Sequence, residues 1–200
     1  MRQLNLLIKR LFDFFASLLS LILLSPLFIL ISIWIKLDSA GPVFFKQERL
    51  GKLGKPFKVF KFRSMVMNAE KMGDGIRIKE DTDPRITRSG KFLRKTSLDE
   101  LPQLINVIIG QMSLVGPRPP VVYHPYVGFL NYPEWSKIRF DFRPGITGLT
   151  QVTVRNSVDW DDRMKVDVKY IREFNIFLDI KILFLTILKV IKPDSLYLEG

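Results

Sequence analysis

The chain has no cysteine and one histidine among its 200 residues. Without cysteine no disulfide can staple the fold, a composition compatible with a reducing cytoplasm. The single histidine, His124, is assigned no role, since a lone histidine is more often structural or solvated than catalytic. Internal repeats are absent, and so is any clear linker between globular domains, which suits one domain of ordinary size with an appendage. Acidic residues are scarce: 20 Asp and Glu against 31 Lys and Arg leave a formal net charge of +11. Three kinds of partner answer such an excess: nucleic acid, an anionic membrane surface or a phosphorylated substrate. A basic membrane-tethered nucleic-acid binder is the weaker reading, because the chain carries no helix-turn-helix, zinc or RNA-binding signature.

What is present is a concentrated apolar segment. Residues 11–35 are apolar except for Asp13, Ser17, Ser20, Ser25 and Ser32. Their length exceeds the ~20 residues that cross a bilayer core. No small-residue cleavage site follows, so a removable signal peptide is not expected. Pro26 lacks an N–H and should break the helix into 11–24 and 27–35. The second piece would be only about 14 Å long, less than half the core. Ser25 can take up a backbone group freed at the break. Basic residues flank both ends, Arg2, Lys9 and Arg10 before and Lys36, Lys46, Arg49, Lys52 and Lys55 after. The positive-inside rule then puts both ends on the cytoplasmic side. These observations favour a re-entrant helical hairpin bent at Ser25-Pro26 over a straight span.

Beyond Gly41-Pro42, residues 43–49 and 57–63 read as a β-hairpin around the turn Gly51-Lys52-Leu53-Gly54-Lys55-Pro56. Its second strand should turn Lys58 and Lys61 to one side, with Arg63 just beyond their row. Residues 65–71 read as helical and 73–84 as a mobile polar loop, while 86–95 carry Arg88, Lys91, Arg94 and Lys95, with Ile86, Phe92 and Leu93 to pack inward. An apolar helix is expected over 101–109, irregular structure among the prolines from Pro117 to Pro133, and a short helix over 135–142. A structured loop over 143–149, a charged helix over 159–174 and a core or interfacial helix over 176–191 complete the chain. The fold class is α/β, mostly helical with a small hairpin, divided into a membrane segment at 1–40 and a second domain at 41–200 lying on the membrane through amphipathic helices.

The densest chemistry lies at Ser97-Leu98-Asp99-Glu100-Leu101-Pro102. Ser97 and Glu100 fit a capping box, but Pro102 would then fall at the fifth helical position, where its missing N–H matters. A helix starting at Asp99 instead puts Pro102 in the first turn and Asp99 at or near the N-cap. There the helix end would stabilise an ionised carboxylate and an approaching phosphate. A carboxylate can attack phosphorus, and its neighbour can hold Mg²⁺. Spacing alone leaves the capping box and the catalytic pair both open.

At these residues the chain resembles the small monotopic phosphoglycosyl transferases, bacterial sugar transferases of polyprenyl-linked glycan pathways. The similarity runs from the N-terminal segment to about residue 191. It rests on Ser25-Pro26, Gly41-Pro42-Val43-Phe44-Phe45-Lys46-Gln47, Lys61-Phe62-Arg63-Ser64-Met65, Ser97 to Gln103, Met112 to Pro119 and Arg143 to Leu149, in that order. The resemblance implies transfer of a sugar-1-phosphate from a UDP-sugar to polyprenyl phosphate at the bacterial inner membrane, with UMP released and Mg²⁺ required. It implies a monotopic protein with its catalytic domain facing the cytoplasm, a re-entrant helix broken at Ser-Pro, and a first membrane step in making O-antigen, capsule, exopolysaccharide or glycoprotein. Asp99 falls on the family's nucleophile, which forms a covalent phosphosugar in a ping-pong scheme. Glu100 falls on the adjacent metal-associated carboxylate, so both belong to the metal site. Direct single displacement and a non-catalytic scaffold are the alternatives, and a homodimer is compatible with the reading.

Candidate contacts to the anionic substrates are Arg63, Arg94, Arg118, Arg143, Gln151 and Arg155. Arg118, between two prolines, suits bidentate contact to phosphate or uracil. The chain departs from the family at Thr150-Gln151-Val152-Thr153-Val154-Arg155-Asn156, where the family often has Ala-Gln-Val-Asn-Gly-Arg-Asn and hence a flexible glycine. The stretch 120–142, around Tyr123-His124-Pro125-Tyr126, also departs from the family pattern.

Overall fold

The structure is a computed structural model that describes residues 2–72, 83–154 and 157–191. The described residues are mostly helical, with two small sheets and one long apolar N-terminal helix. In chain order the elements are α1 (Arg2–Asp38), β1 (Phe44–Leu50), β2 (Pro56–Phe62), α2 (Arg88–Lys95), α3 (Gln103–Ile108), β3 (Ser113–Val115), α4 (Glu134–Lys137), β4 (Gly145–Thr147), α5 (Leu149–Thr153), α6 (Trp160–Glu173) and α7 (Ile176–Ile191).

α1 is long and apolar enough to cross a membrane, with mean hydropathy 2.6 in its most apolar window. It is assigned as one helix of 37 residues with Pro26 inside, rather than as the two separate pieces the proline suggests. The reason is local. Pro26 cannot donate to the carbonyl of Ile22, and the Ser25 hydroxyl donates to that carbonyl instead, at 2.8 Å.

α1 is not a free appendage. Leu27, Phe28, Ile31 and Ile35 pack with Phe62 and Leu93 of the body, so the division at residue 40 runs through a shared core. Fully burying side chains of this size stabilises by roughly 1.5–3 kcal/mol each. The Arg63 guanidinium closes the helix end by donating to the carbonyls of Ile35, Ser39 and Ala40. Asp38 accepts from the amide and hydroxyl of Ser89, tying the same end to α2.

At the other end, a polar stripe at four-residue spacing, Lys9, Asp13 and Ser17, is buried. Lys9 pairs with Asp179 of α7 at 2.6 Å, and Asp13 accepts from the Ser113 hydroxyl and the Leu114 amide of β3. Arg10 donates to the carbonyls of Val107 and Ile108 at the end of α3, where the helix dipole favours a cation. Lys9 and Arg10 are therefore spent on internal partners.

The hairpin forms as the alternation suggests, antiparallel from Phe44 opposite Phe62 to Leu50 opposite Pro56. Lys58 and Lys61 do not share a side, however. The strand period of two puts Lys61 in the row of Phe57 and Val59, which faces inward, while Lys58 stays exposed. Asn106, fully buried on α3, locks that helix to β2: its side chain accepts from the Phe60 amide and donates to the Lys58 carbonyl.

Other elements depart from simple periodicity. Residues 65–71 are not a helix; Met65 bridges to Ile86 and only Ala69–Lys71 turns, as a 3₁₀ helix. The loop expected at 73–84 lies largely outside the described residues. The apolar stretch 101–109 shortens to α3, and 135–142 becomes the short α4 followed by a 3₁₀ turn at Ile138–Asp141. The segment 143–149 contains β4, which pairs in parallel with β3. The charged helix α6 starts where its N-cap directs: Asp159 accepts from the Asp162 amide at 2.9 Å.

Arg63 supplies a direct test of this frame. Replacing it with Met leaves three helix-end carbonyls beneath Ile35 without their donor. Thermal denaturation in detergent should show a clearly lowered Tm, corresponding to a loss of about 2–3 kcal/mol. A Tm equal to that of the unmodified chain would show that the guanidinium does not hold the end of α1.

Candidate active site

Ser97 adopts a left-handed backbone, φ 58°, and makes no side-chain capping bond, so no capping box forms. Leu98–Glu100 is a single 3₁₀ turn, and the residue preceding α3 is Pro102 rather than Asp99. A proline has no N–H to lose just ahead of a helix, so it sits there without cost. Asp99 and Glu100 thus occupy a tight turn between α2 and α3. The turn is fixed from below by Leu98, which packs with Ile31 and Phe62, and beyond α3 by Arg10 and Asn106.

Two neighbouring carboxylates in one buried turn repel each other and lose hydration. Lys61 answers both: its ammonium lies 2.6 Å from Glu100 and 3.8 Å from Asp99. The Arg118 guanidinium approaches Glu100 at 3.7 Å. The two carboxyls diverge as a result. Burial pushes Asp99 above the usual carboxylate range, and Lys61, Arg94 and Arg118 pull against it without overcoming burial and Glu100. Burial pushes Glu100 the same way, but Lys61 and Arg118 outweigh it and hold Glu100 below that range.

The backbone around Arg118 is held at four successive carbonyls. Pro117 accepts from the Gly145 amide, Arg118 from Arg139, Pro119 from Arg49, and Pro120 from the Leu50 amide. Prolines lacking an N–H leave a loop dependent on its carbonyls, and here they reach β4, Arg139 and the end of β1. Arg139 is itself buried and paired with Asp167, which also accepts from the Thr150 hydroxyl. One chain of contacts therefore runs from α6 through Arg139 to Arg118 and on to Glu100.

These groups line one cavity of about 620 Å³, within the size range of small-molecule sites. Lys61, Arg94, Asp99, Glu100, Arg118 and Arg163 form its charged side. Leu101, Leu104, Leu114, Ile146, Leu183 and Val190 form an apolar side. Trp160 also lines it, with the Arg163 guanidinium over its ring at 5.3 Å and the His124 ring edge-on at 5.5 Å. Three polar groups in this lining are buried without a hydrogen-bond partner among the described residues: Arg94 Nε, one terminal nitrogen of Arg139, and both amide atoms of Gln151.

Asp99, Glu100, Arg94, Arg118 and Gln151 are brought together in this cavity. Arg63 is not; it caps α1. Arg143 also lies elsewhere, donating to the Gly110 carbonyl beyond α3. Arg155 lies outside the described residues. Arg139, Trp160 and Arg163 join the site without having been singled out as contacts, and Lys61 joins it from the basic residues of the hairpin. For Lys61 the strand period was a usable signal. Arg139 and Arg163 reach the cavity only through the packing of α6.

Comparison with known proteins gives a family. The profile described as Bacterial sugar transferase matches residues 4–193. The chain is 46% identical over 191 residues, 92% of its length, to the UDP-glucose:undecaprenyl-phosphate glucose-1-phosphate transferase of Escherichia coli K12. It is 43% identical over 206 residues, 95% of its length, to the undecaprenyl-phosphate galactose phosphotransferase of Salmonella typhimurium. It spans about two fifths of those proteins, 40% and 42% respectively. The exopolysaccharide production protein PSS of Rhizobium leguminosarum is 42% identical over 92% of this chain and 94% of its own length. On this similarity, carried along nearly the whole sequence, the chain belongs to the bacterial sugar transferase family.

Proposed function

We propose that the chain transfers a sugar-1-phosphate from a UDP-sugar to undecaprenyl phosphate at the cytoplasmic face of the bacterial inner membrane, releasing UMP. One observation carries the reading: an adjacent carboxylate pair shares a cavity with a cationic wall on one side and an apolar wall on the other. A nucleotide-sugar is anionic and polar; a polyprenyl phosphate is anionic at one end and hydrocarbon at the other. A site for both needs both walls. The named activities of the relatives support the same substrates.

Asp99 is the nucleophile. One carboxylate oxygen attacks the phosphorus attached to the sugar, and the bond from that phosphorus to the oxygen bridging the two phosphates breaks. UMP departs with that oxygen and the electron pair, leaving the phosphosugar on Asp99 as an acyl phosphate. An oxygen of the polyprenyl phosphate then attacks the same phosphorus, and the Asp99 carboxylate is the leaving group. Lys61, Arg94 and Arg118 are placed to bind and orient the phosphates, with the bound geometry set before reaction. Gln151, Arg139 and Trp160 offer unpartnered polar groups and an aromatic face to the nucleotide.

Mg²⁺ suits this pair. Among the described residues no group of three or more His, Cys, Asp or Glu side chains could hold a metal. Mg²⁺ commonly takes one or two carboxylates and completes its shell with phosphate oxygens and water. Asp99 and Glu100 would hold it, and the ion when bound would neutralise charge on the transferring phosphate.

The re-entrant shape of α1 belongs to the same reading. In a straight helix Arg10 and Ile31 would lie about 31 Å apart. Yet Arg10 grips the carbonyl of Val107, and Ile31 packs in a cluster with Leu101, only six residues earlier in the chain. Contacts so close together support a bend near Pro26 that returns the helix to the side it entered. The broad exposed apolar surface of α1, Leu11, Phe15, Leu19, Ile22, Ile29 and Ile33 among it, then faces lipid.

Two experiments test these claims. UDP-sugar labelled in the sugar-proximal phosphate should leave label on the protein when acceptor is withheld, whereas Asp99→Asn should carry none and release no UMP. Full turnover with no labelled protein would replace the covalent scheme by direct displacement. Separately, the cysteine-free chain allows single-cysteine labelling at Leu4→Cys and Leu37→Cys in sealed inner-membrane vesicles. Both sites should react from the cytoplasmic face; reaction from opposite faces would refute the bend.

A further inference from the structure

α7 carries three different stripes. Ile182 and Asp179 face the core; Leu183, Thr186 and Val190 line the site cavity; Phe177, Ile180, Phe184 and Ile187 are exposed. At ~100° per residue, Leu183 and Ile187 lie only about 40° apart around the helix, so the cavity stripe adjoins the exposed apolar stripe directly. Leu183 also lines a second, smaller cavity of about 110 Å³ at the seam between α1 and α7. That cavity is walled by Ile8 and Phe12 of α1, Ile176 and Ile180 of α7, and Val115. Lys9, Asp13 and Asp179 also line it, with their charges turned to internal partners: Lys9 pairs with Asp179, and Asp13 and Asp179 accept from Ser113 and Tyr170. β3 divides the two spaces in the same way, Leu114 facing the large cavity and Val115 the small one.

We propose that the α1–α7 seam is the subsite for the hydrocarbon tail of the lipid acceptor, with Leu183 as the partition between seam and catalytic cavity. This rests on the transferase reading above and deepens it. The tail lies against the apolar stripe of α7, passes Leu183 between the two cavities, and presents its phosphate to the cationic wall around Asp99. The occupant is an isoprenoid rather than a second protein chain. The path is lined mainly by apolar side chains, adjoins the exposed apolar stripe of α7, and ends at the cations around Asp99.

The test compares undecaprenyl phosphate with geranyl phosphate, which carries only two isoprene units and so far less hydrocarbon to lay along the seam. The quantity read is the ratio of kcat/KM for the long acceptor to that for the short one, measured by UMP release. Leu183→Trp fills the partition and should lower the ratio about tenfold. Ile180→Trp, on the far wall of the seam, carries the same expectation should the first variant not accumulate. A ratio within twofold of the unmodified enzyme in an active variant overturns the proposal alone. No UMP release by the unmodified enzyme with either acceptor overturns the transferase reading, and this proposal with it.

Discussion

Everything in the site follows from keeping Asp99 and Glu100 together under cover. Two adjacent carboxylates on one turn, both withdrawn from water, are unfavourable unless a cation lies against them. Lys61 is that cation, and the hairpin exists in this form to deliver it. Its ammonium reaches the turn because Lys61 shares the inward row of Phe57 and Val59, whose burial fixes the strand's register. A slip of one residue would turn Lys61 to solvent and leave the pair without compensation. The asymmetry of the contact, closer to Glu100 than to Asp99, also separates the two carboxyls in character. One is held firmly as an anion, and the other remains the less compensated group facing the cavity.

Around this pair the fold works by making each support serve twice. Arg139 neutralises Asp167 and also holds the Arg118 carbonyl. Asn106 completes a strand edge and also fixes α3 behind the carboxylate turn. The β3–β4 pair brings Gly145 close enough to hold Pro117 and divides the two cavities through Leu114 and Val115. Gly145 has no room for a side chain there: a Cβ would fall 2.1 Å from the Gly116 nitrogen. A site built this way has its cationic wall fixed by the packing, the condition that electrostatic pre-organisation requires.

Much of this was legible in the amino-acid order, and the rest fails for identifiable reasons. The hairpin, α6 and α7 announce themselves through local signals: strand alternation, and helical runs of charged or apolar residues. Asp99, Glu100 and Arg118 stand out through their neighbours, particularly the prolines. The 3₁₀ turn was hidden because Ser97 mimics a capping box that its left-handed backbone cannot form. β3 and β4 are three residues each and separated by thirty positions, too short and too distant for any pattern to reveal. Arg63, Arg139 and Arg163 look alike in sequence. Only the packing distinguishes a helix cap from a buried strut and from a cavity wall.

Lys9 and Arg10 look in sequence like headgroup-facing flanking charges. Their internal bonds, together with the Arg63 cap and the Ile31–Phe62 contact, mean that α1 is core as much as anchor. Trimming it away would bare Phe62 and Leu93, strand Asp179 without its ammonium, and uncap the helix behind the carboxylate turn. A soluble catalytic half therefore cannot be released by cutting the chain after residue 40. The position of the carboxylate turn relative to α1 is built into the packing and is not left to a tether.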